Sequence, residues 1–97
     1  MSLIYKLSKS AERDLEQLYH YTIRQFGLTQ ASDYLLELEG VFELLAEFPT
    51  MGRSAEMIRP NLRSHTHQSH VIYYRKRAKD IFILRVIHQR MDHKRLM

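Results

Sequence analysis

The stretch from His70 to His88, HVIYYRKRAKDIFILRVIH, decides the fold of this chain. It holds two runs rich in β-branched and aromatic residues, 70–75 and 81–88. Such runs are typical of strands that are covered on at least one face. The link between them is short enough for a hairpin, although it contains no glycine. Residues 62–67 alternate in polarity and predict another strand, while residues 51–61, with Gly52 and Pro60, predict a loop.

Two helices are predicted upstream of these strands. Ser8 is a good N-cap, because its hydroxyl can accept a hydrogen bond from an amide of the first turn. Gly27 ends the first helix, the second begins near residue 30, and Pro49 ends it. A short turn at residues 27–28 makes the two helices an antiparallel hairpin. The apolar positions at helical spacing are Ala11, Leu15, Leu18, Tyr19, Ile23 and Phe26, then Ala31, Tyr34, Leu35, Leu38, Val41, Phe42 and Leu45.

The order of elements predicts the fold class. Leu3, Tyr5 and Leu7 alternate with Ile4 and Lys6 and indicate a short first strand. The order is then β-α-α-β-β-β, which predicts a two-layer α+β domain over residues 1–97, with the helical hairpin packed on an antiparallel sheet. The sequence has no cysteine, no apolar run long enough for a membrane span and no signal-peptide pattern, so a cytoplasmic protein is expected.

Charge is distributed very unevenly along the chain. Residues 1–52 hold four lysines and arginines against eight acids, a net charge of −4. Residues 53–97 hold eleven against three, a net charge of +8. This asymmetry predicts one strongly positive face that meets a negative partner.

Four arginines are candidates for that face. Arg59 and Arg63 flank the entry to the second strand, Arg75 ends the third, and Arg85 lies within the fourth. Guanidinium groups suit carboxylates and phosphates alike. Arg85 interrupts an apolar strand, so it either faces solvent or pairs with a carboxylate, because an unpaired buried charge is unfavourable. The cations of the 76–79 turn are interpreted as solvated.

The histidines allow two interpretations. His65 and His67 share a strand face, and with His70 or His88 they could bind a metal, but a surface pair is the more ordinary interpretation and no metal site is predicted. His88 could act as an acid or base in RNA cleavage, or donate structurally to Asp92. No P-loop, G-x-G-x-x-G, H-E-x-x-H or nucleophile-elbow motif is present, and no cofactor is predicted.

Tyr73 and Tyr74 should point to opposite faces of their strand. One is expected in the core. The other could stack on a base or pack against a partner helix.

An ordered set of local phrases resembles the ParE family of toxins from bacterial type II toxin–antitoxin systems, within the wider RelE/ParE superfamily. The resemblance spans nearly the whole chain. Its most specific parts are the Gly-Arg pair before the second strand and the Arg-Val-Ile-His-x-Arg-Met-Asp ending. The phrases are Tyr5-Lys6-Leu7-Ser8, Ala11, Asp14-Leu15, Phe26-Gly27, Gln30-Ala31, Tyr34, Phe42, Leu45-Ala46, Pro49, Gly52-Arg53, Ile58-Arg59-Pro60, Leu62-Arg63, His70, Ile72-Tyr73-Tyr74, Ile83 and 85–92.

The resemblance implies a toxin that inhibits DNA gyrase by binding, without catalysis of its own. It implies a ParD-like antitoxin with a ribbon-helix-helix head and a flexible tail, and contact with operator DNA only through that head. We expect Arg59, Arg63, Arg75 and Arg85 to help bind the antitoxin. We expect the exposed basic C-terminal segment to bind the target, through His88, Arg90, Asp92, Lys94 and Arg95.

Two alternatives stay open. The related RelE branch cleaves mRNA on the ribosome, and here such a site would rely on Arg63, Arg85 and His88, since no tyrosine follows the final strand. A plain basic nucleic-acid-binding module ranks last, because the strands lack an aromatic-and-glycine RNA-binding motif.

Overall fold

The computed structural model describes residues 4–97 and is a two-layer α+β domain, as predicted. Leu3, which was assigned to the first strand, lies outside the described residues. Among residues 4–97 no helix has the length and apolarity needed to cross a membrane. The elements are β1 (Ile4–Leu7), α1 (Lys9–Phe26), α2 (Leu28–Glu47), β2 (Arg53–Ser54), β3 (Arg63–His67), β4 (His70–Lys76), β5 (Asp80–His88) and α3 (His93–Leu96).

The five-stranded sheet has the order β1-β5-β4-β3-β2 and is mixed. Strands β2 to β5 are antiparallel, as predicted, but β1 lies parallel to β5, with Ile4 opposite Asp80 and Leu7 opposite Ile83. The expectation of a wholly antiparallel sheet is therefore wrong at this one edge. Parallel neighbours require a long crossover, and the helices and strands between β1 and β5 supply one.

Both ends of α1 are set by local chemistry. The Ser8 hydroxyl accepts a hydrogen bond from the Ala11 amide at 2.9 Å and donates one to the Leu84 carbonyl at 2.8 Å, so the N-cap also fixes α1 to β5. Gly27 ends α1 with φ +93° and ψ 168°, a backbone conformation open essentially to glycine alone. Because α2 begins at Leu28, the predicted two-residue turn is a single residue.

Each face of the sheet is covered. The helical hairpin covers one face with a core that includes Leu38, Phe42 and Tyr74. The 55–62 loop and the C-terminal residues Leu96 and Met97 pack on the other face, around Tyr73. The two tyrosines thus point to opposite faces as predicted, but both are buried, and Tyr73 is not available for stacking. The cause is the cover supplied by the 55–62 loop and by α3, a turn that the sequence analysis does not predict.

Candidate partner groove and C-terminal turn

A groove of about 1030 Å³ lies between the helical hairpin and the carboxyl end of β5. Its helical wall includes Tyr21 and Phe26, and its other wall includes Val86, Met91 and Leu96. Tyr21, Phe26 and Met91 are 53%, 61% and 52% exposed, respectively. Large apolar side chains that line a concave surface and stay half-exposed to solvent are typical of a site that binds a segment of another protein.

Of the four predicted arginines, Arg85 lines this groove, and Arg59, Arg63 and Arg75 do not. Its free charges are the acids Asp33 and Glu37 of α2, and Glu37 accepts hydrogen bonds from His67 at 3.2 Å and Gln68 at 3.0 Å. Arg85 also lines the groove, but Asp14 beside it balances its charge. The groove is therefore apolar with an acidic rim, and a partner segment with apolar anchors would fit it best if its flanks were basic.

Arg85 has the carboxylate partner that its position in an apolar strand required. Its Nε and Nη2 donate to the two oxygens of Asp14 at 2.8 and 2.9 Å, and its Nη1 donates to the Leu96 carbonyl at 2.7 Å. The same Asp14 accepts a hydrogen bond from the Val86 amide at 2.9 Å. Asp14, which the sequence interpretation did not single out, therefore joins α1 to β5, and Arg85 extends the connection to the C-terminal turn.

The four candidate arginines do not form one surface. Arg63 donates to the Gly52 carbonyl at 2.6 Å and so fixes the loop before β2. Arg59 donates to the Met97 carbonyl. Arg75 is exposed at the end of β4, 5.8 Å from the centroid of the Phe82 ring, and makes no hydrogen bond or ion pair within residues 4–97. Of the four, Arg75 is the guanidinium most available to a partner.

Two of the histidines, His70 and His88, line the groove. Tyr34 Oη lies 2.8 Å from His70 Nδ1, and the His70 and His88 rings are 5.4 Å apart. Burial, with smaller contributions from His88 and His67, lowers the pKa of His70 to about 4. Burial and then Glu37 raise the pKa of Tyr34 to about 12. Tyr34 therefore keeps its proton, and its hydroxyl lies within hydrogen-bond distance of a neutral His70 and of the His67 carbonyl.

His88 and Asp92 have separate roles in the structure. His88 Nδ1 accepts a hydrogen bond from the Arg90 amide at 3.1 Å, and Asp92 accepts one from the Arg95 amide at 3.3 Å as the N-cap of α3. These contacts do not include the hydrogen bond from His88 to Asp92 that one of the two interpretations expected. No group of three or more histidines, cysteines or acids within residues 4–97 is arranged to hold a metal ion.

The C-terminal segment, which the sequence predicts to be exposed, is folded back against the sheet. His93 contacts the Tyr73 hydroxyl through Nδ1 and the His88 carbonyl through Nε2, and Leu96 and Met97 pack beside Tyr73. Arg90, Lys94 and Arg95 remain exposed. The segment therefore has an anchored inner side and a basic outer side. Asp92 before a short amphipathic run was the local signal that could have revealed it.

The residues of the alternative catalytic set do not converge. Arg63 pairs across β3–β4 with Tyr74, which lies opposite Ile83, whereas His88 lies opposite His70 at the other end of the sheet. Ile83 and His88 are five positions apart along β5, which corresponds to about 17 Å at ~3.4 Å per residue. Arg63 is fixed to the 50–52 loop at its own end, so it does not share a pocket with Arg85 and His88.

Comparison with known proteins identifies the family. Residues 5–93 match the model of the "ParE toxin of type II toxin-antitoxin system, parDE". The chain belongs to the ParE toxin family. It is 39% identical to Toxin ParE1 of Caulobacter vibrioides over 88 residues, 91% of each chain, and 39% identical to Toxin ParE1 of Mycobacterium tuberculosis over 93 residues, 95% of each. It is 31% identical to Toxin ParE of Escherichia coli over 90 residues, 91% of this chain and 86% of that toxin.

A solved structure supports the ParE fold independently. The chain titled "Chromosomal ParDE TA system from P. aeruginosa" matches with a TM-score of 0.78 at 20% identity, covering 90% of this chain and 96% of that one. This ParE-family chain is therefore the toxin component of a type II toxin–antitoxin system, which implies an antitoxin partner.

Proposed function

We propose that this ParE-family toxin inhibits DNA gyrase by binding, in the cytoplasm, and that a ParD-like antitoxin neutralises it by filling the groove. Operator DNA would be contacted only through the antitoxin. The observation that carries the proposal is the two-sided C-terminal segment. Its Met91 and Leu96 line the groove, while its Arg90, Lys94 and Arg95 face solvent.

The groove supports the antitoxin half of the proposal. Tyr21, Phe26 and Met91 are each more than half exposed, and a partner segment that covers them removes apolar surface from water. Because Met91 and Leu96 belong to the C-terminal segment, a segment seated in the groove would touch the part of the toxin that we propose meets the target. Neutralisation would then need no change of fold.

The predicted antitoxin-binding arginines receive different roles in this proposal. Arg75 is the candidate for direct pairing with an acidic residue of the antitoxin, because its guanidinium is free. Arg63 and Arg85 would act indirectly, by fixing the 50–52 loop and the groove wall. Arg59 is exposed but already holds the Met97 carbonyl.

The exposed cations support the part of the proposal that concerns binding to gyrase. Arg90, Lys94 and Arg95 lie close together in sequence on a turn that is fixed in place, so the cost of ordering them on binding is small. Of the other predicted target residues, Asp92 caps the turn and His88 lies at the end of the groove, so we assign them supporting roles.

The test is a gyrase cleavage assay with supercoiled plasmid and ATP. Wild-type toxin should accumulate linear, cleaved DNA, and the cognate antitoxin should reverse the effect. Lys94→Glu/Arg95→Glu should abolish the cleaved product and leave antitoxin affinity within about threefold of wild type. Tyr21→Glu/Phe26→Glu should do the opposite, weakening the antitoxin while gyrase is still poisoned. Deletion of residues 89–97 is unsuitable, because it would also remove the groove wall.

Failure of wild-type toxin to trap cleaved DNA would disprove the gyrase proposal. Cleavage of mRNA on translating ribosomes would then identify the alternative, an endoribonuclease. No geometry around Arg63, Arg85 and His88 favours that alternative at present.

A further inference from the structure

The C-terminal turn is too short to be stable by itself. The helix α3 spans only His93–Leu96, and isolated helices of this length do not form in water. The last carbonyls of a helix also have no partner within it. Something outside the turn must therefore hold it against the sheet.

Two arginines from distant parts of the chain bind the backbone oxygens of Leu96 and Met97. Arg59, in the 55–62 loop, donates to the Met97 carbonyl, and Arg85, in β5, donates to the Leu96 carbonyl at 2.7 Å. Hydrogen bonds from a charged donor are stronger than those from a neutral one, and a cation is favourable at the carboxyl end of a helix. Both contacts are made at the end of the turn, and Lys94 and Arg95 are exposed.

Other contacts fix the turn's beginning. His93 binds the Tyr73 hydroxyl and the His88 carbonyl, and Asp92 caps the turn. These contacts fix the start of the turn, while at its end the side chains of Leu96 and Met97 pack beside Tyr73. The side chain of Arg59 makes no other hydrogen bond within residues 4–97.

We propose that Arg59 and Arg85 are positioning residues that clamp the C-terminal turn and set the direction of its exposed cations. The proposal rests on the proposed function in assigning those cations to the target. The clamp itself is measurable without any target. Arg59, predicted from sequence to bind the antitoxin, thus acts on the toxin's own C-terminal segment.

The test compares Arg59→Gln with Arg75→Gln, which removes the same charge from an exposed arginine outside the clamp. The reporters are the amides of Leu96 and Met97, which bond to the Asp92 and His93 carbonyls at 3.1 and 3.0 Å in the docked turn. Their hydrogen-exchange rates, measured by NMR on the free toxin, should rise by up to about tenfold in Arg59→Gln. They should be unchanged in Arg75→Gln, and Arg59→Lys should give an intermediate rate.

The same variants then enter the gyrase assay. Arg59→Gln should reduce gyrase poisoning severalfold while its melting temperature stays near that of wild type. Unchanged exchange in Arg59→Gln would overturn the clamp. Faster exchange with undiminished poisoning would overturn the positioning role. If wild-type toxin does not act on gyrase, the proposed function fails, and the exchange rates alone still decide the clamp.

Discussion

The carboxylate of Asp14 binds the guanidinium of Arg85 through both of its oxygens, at 2.8 and 2.9 Å. The pair lies at the outer edge of β5, beyond Ile83, where pairing with β1 ends. There Asp14 also accepts a hydrogen bond from the Val86 amide, at a position where β1 no longer pairs with β5. One side chain of α1 thus completes the sheet edge, neutralises Arg85 and orients it toward the C-terminal turn.

Replacing Asp14 by Asn should lower the free energy of unfolding by about 2 kcal/mol, because a mostly buried guanidinium loses its charge partner. The side chains of Asp14 and Arg85 are 12% and 21% exposed, so solvent relieves part of the penalty. Urea denaturation measures the change. Asp33→Asn, which removes an exposed acid of α2, should stay within about 0.5 kcal/mol of wild type. Equal effects of the two variants would contradict the role assigned to Asp14.

Replacing each of two glycines by alanine should change the stability of the fold in opposite directions. Gly40 lies in the middle of α2 with open space where a Cβ would be, so Gly40→Ala should stabilise the fold by about 0.5–1 kcal/mol. At Gly52 an added Cβ would lie 2.8 Å from Tyr74 Cε1 and 2.9 Å from the Ser64 carbonyl oxygen. Gly52→Ala should therefore destabilise by about 2 kcal/mol. Thermal unfolding of the two variants provides the comparison.

The loop that Gly52 anchors also depends on Arg63. Arg63→Gln should lower the free energy of unfolding by about 1 kcal/mol, because the Gly52 carbonyl loses a charged donor at 2.6 Å. Arg75→Gln should leave stability unchanged and should instead slow antitoxin association, more at low salt than at high salt. Stopped-flow association at two ionic strengths, alongside urea denaturation, separates the two roles. An association rate for Arg75→Gln equal to that of wild type at both ionic strengths would refute direct pairing.

Stability should fall on acidification because of His70. Its pKa is lowered to about 4 in the folded protein, mainly by burial, against 6.5 for an unperturbed histidine. The unfolded chain therefore binds the proton more readily, so the contribution of His70 is complete above about pH 6.5 and is lost as the pH falls toward 4. The groups that face the ring are Tyr34, His67 and His88.

Melting temperatures at pH 7.5 and 5 measure this effect. His70→Asn keeps an acceptor for Tyr34 and removes the titration, so its melting temperature should drop less than that of wild type between the two pH values. A smaller residual drop should remain, because the pKa of His65 is also lowered, by burial and then by His67. An equal drop in the variant and in wild type would rule out His70 as the main group.

The elements with local causes could be predicted from the residues alone. Ser8 caps α1 with its own hydroxyl, Gly27 supplies a backbone conformation that other residues avoid, and the 70–75 and 81–88 runs form strands. The charge asymmetry was equally direct, since it follows from counting charged residues along the chain. The family phrases likewise lie in order along the chain, and together they indicated the toxin family.

Tertiary structure alone decided what the charged side chains do. Asp14 meets Arg85 across 71 positions and Arg59 meets Met97 across 38. No local pattern specifies such partners, because packing brings them together only after the hairpin, the sheet and the C-terminal turn have docked. The parallel placement of β1 has the same origin, since either edge of a sheet satisfies a strand's backbone equally well. The groove likewise exists only where the helical hairpin, β5 and the C-terminal turn come together.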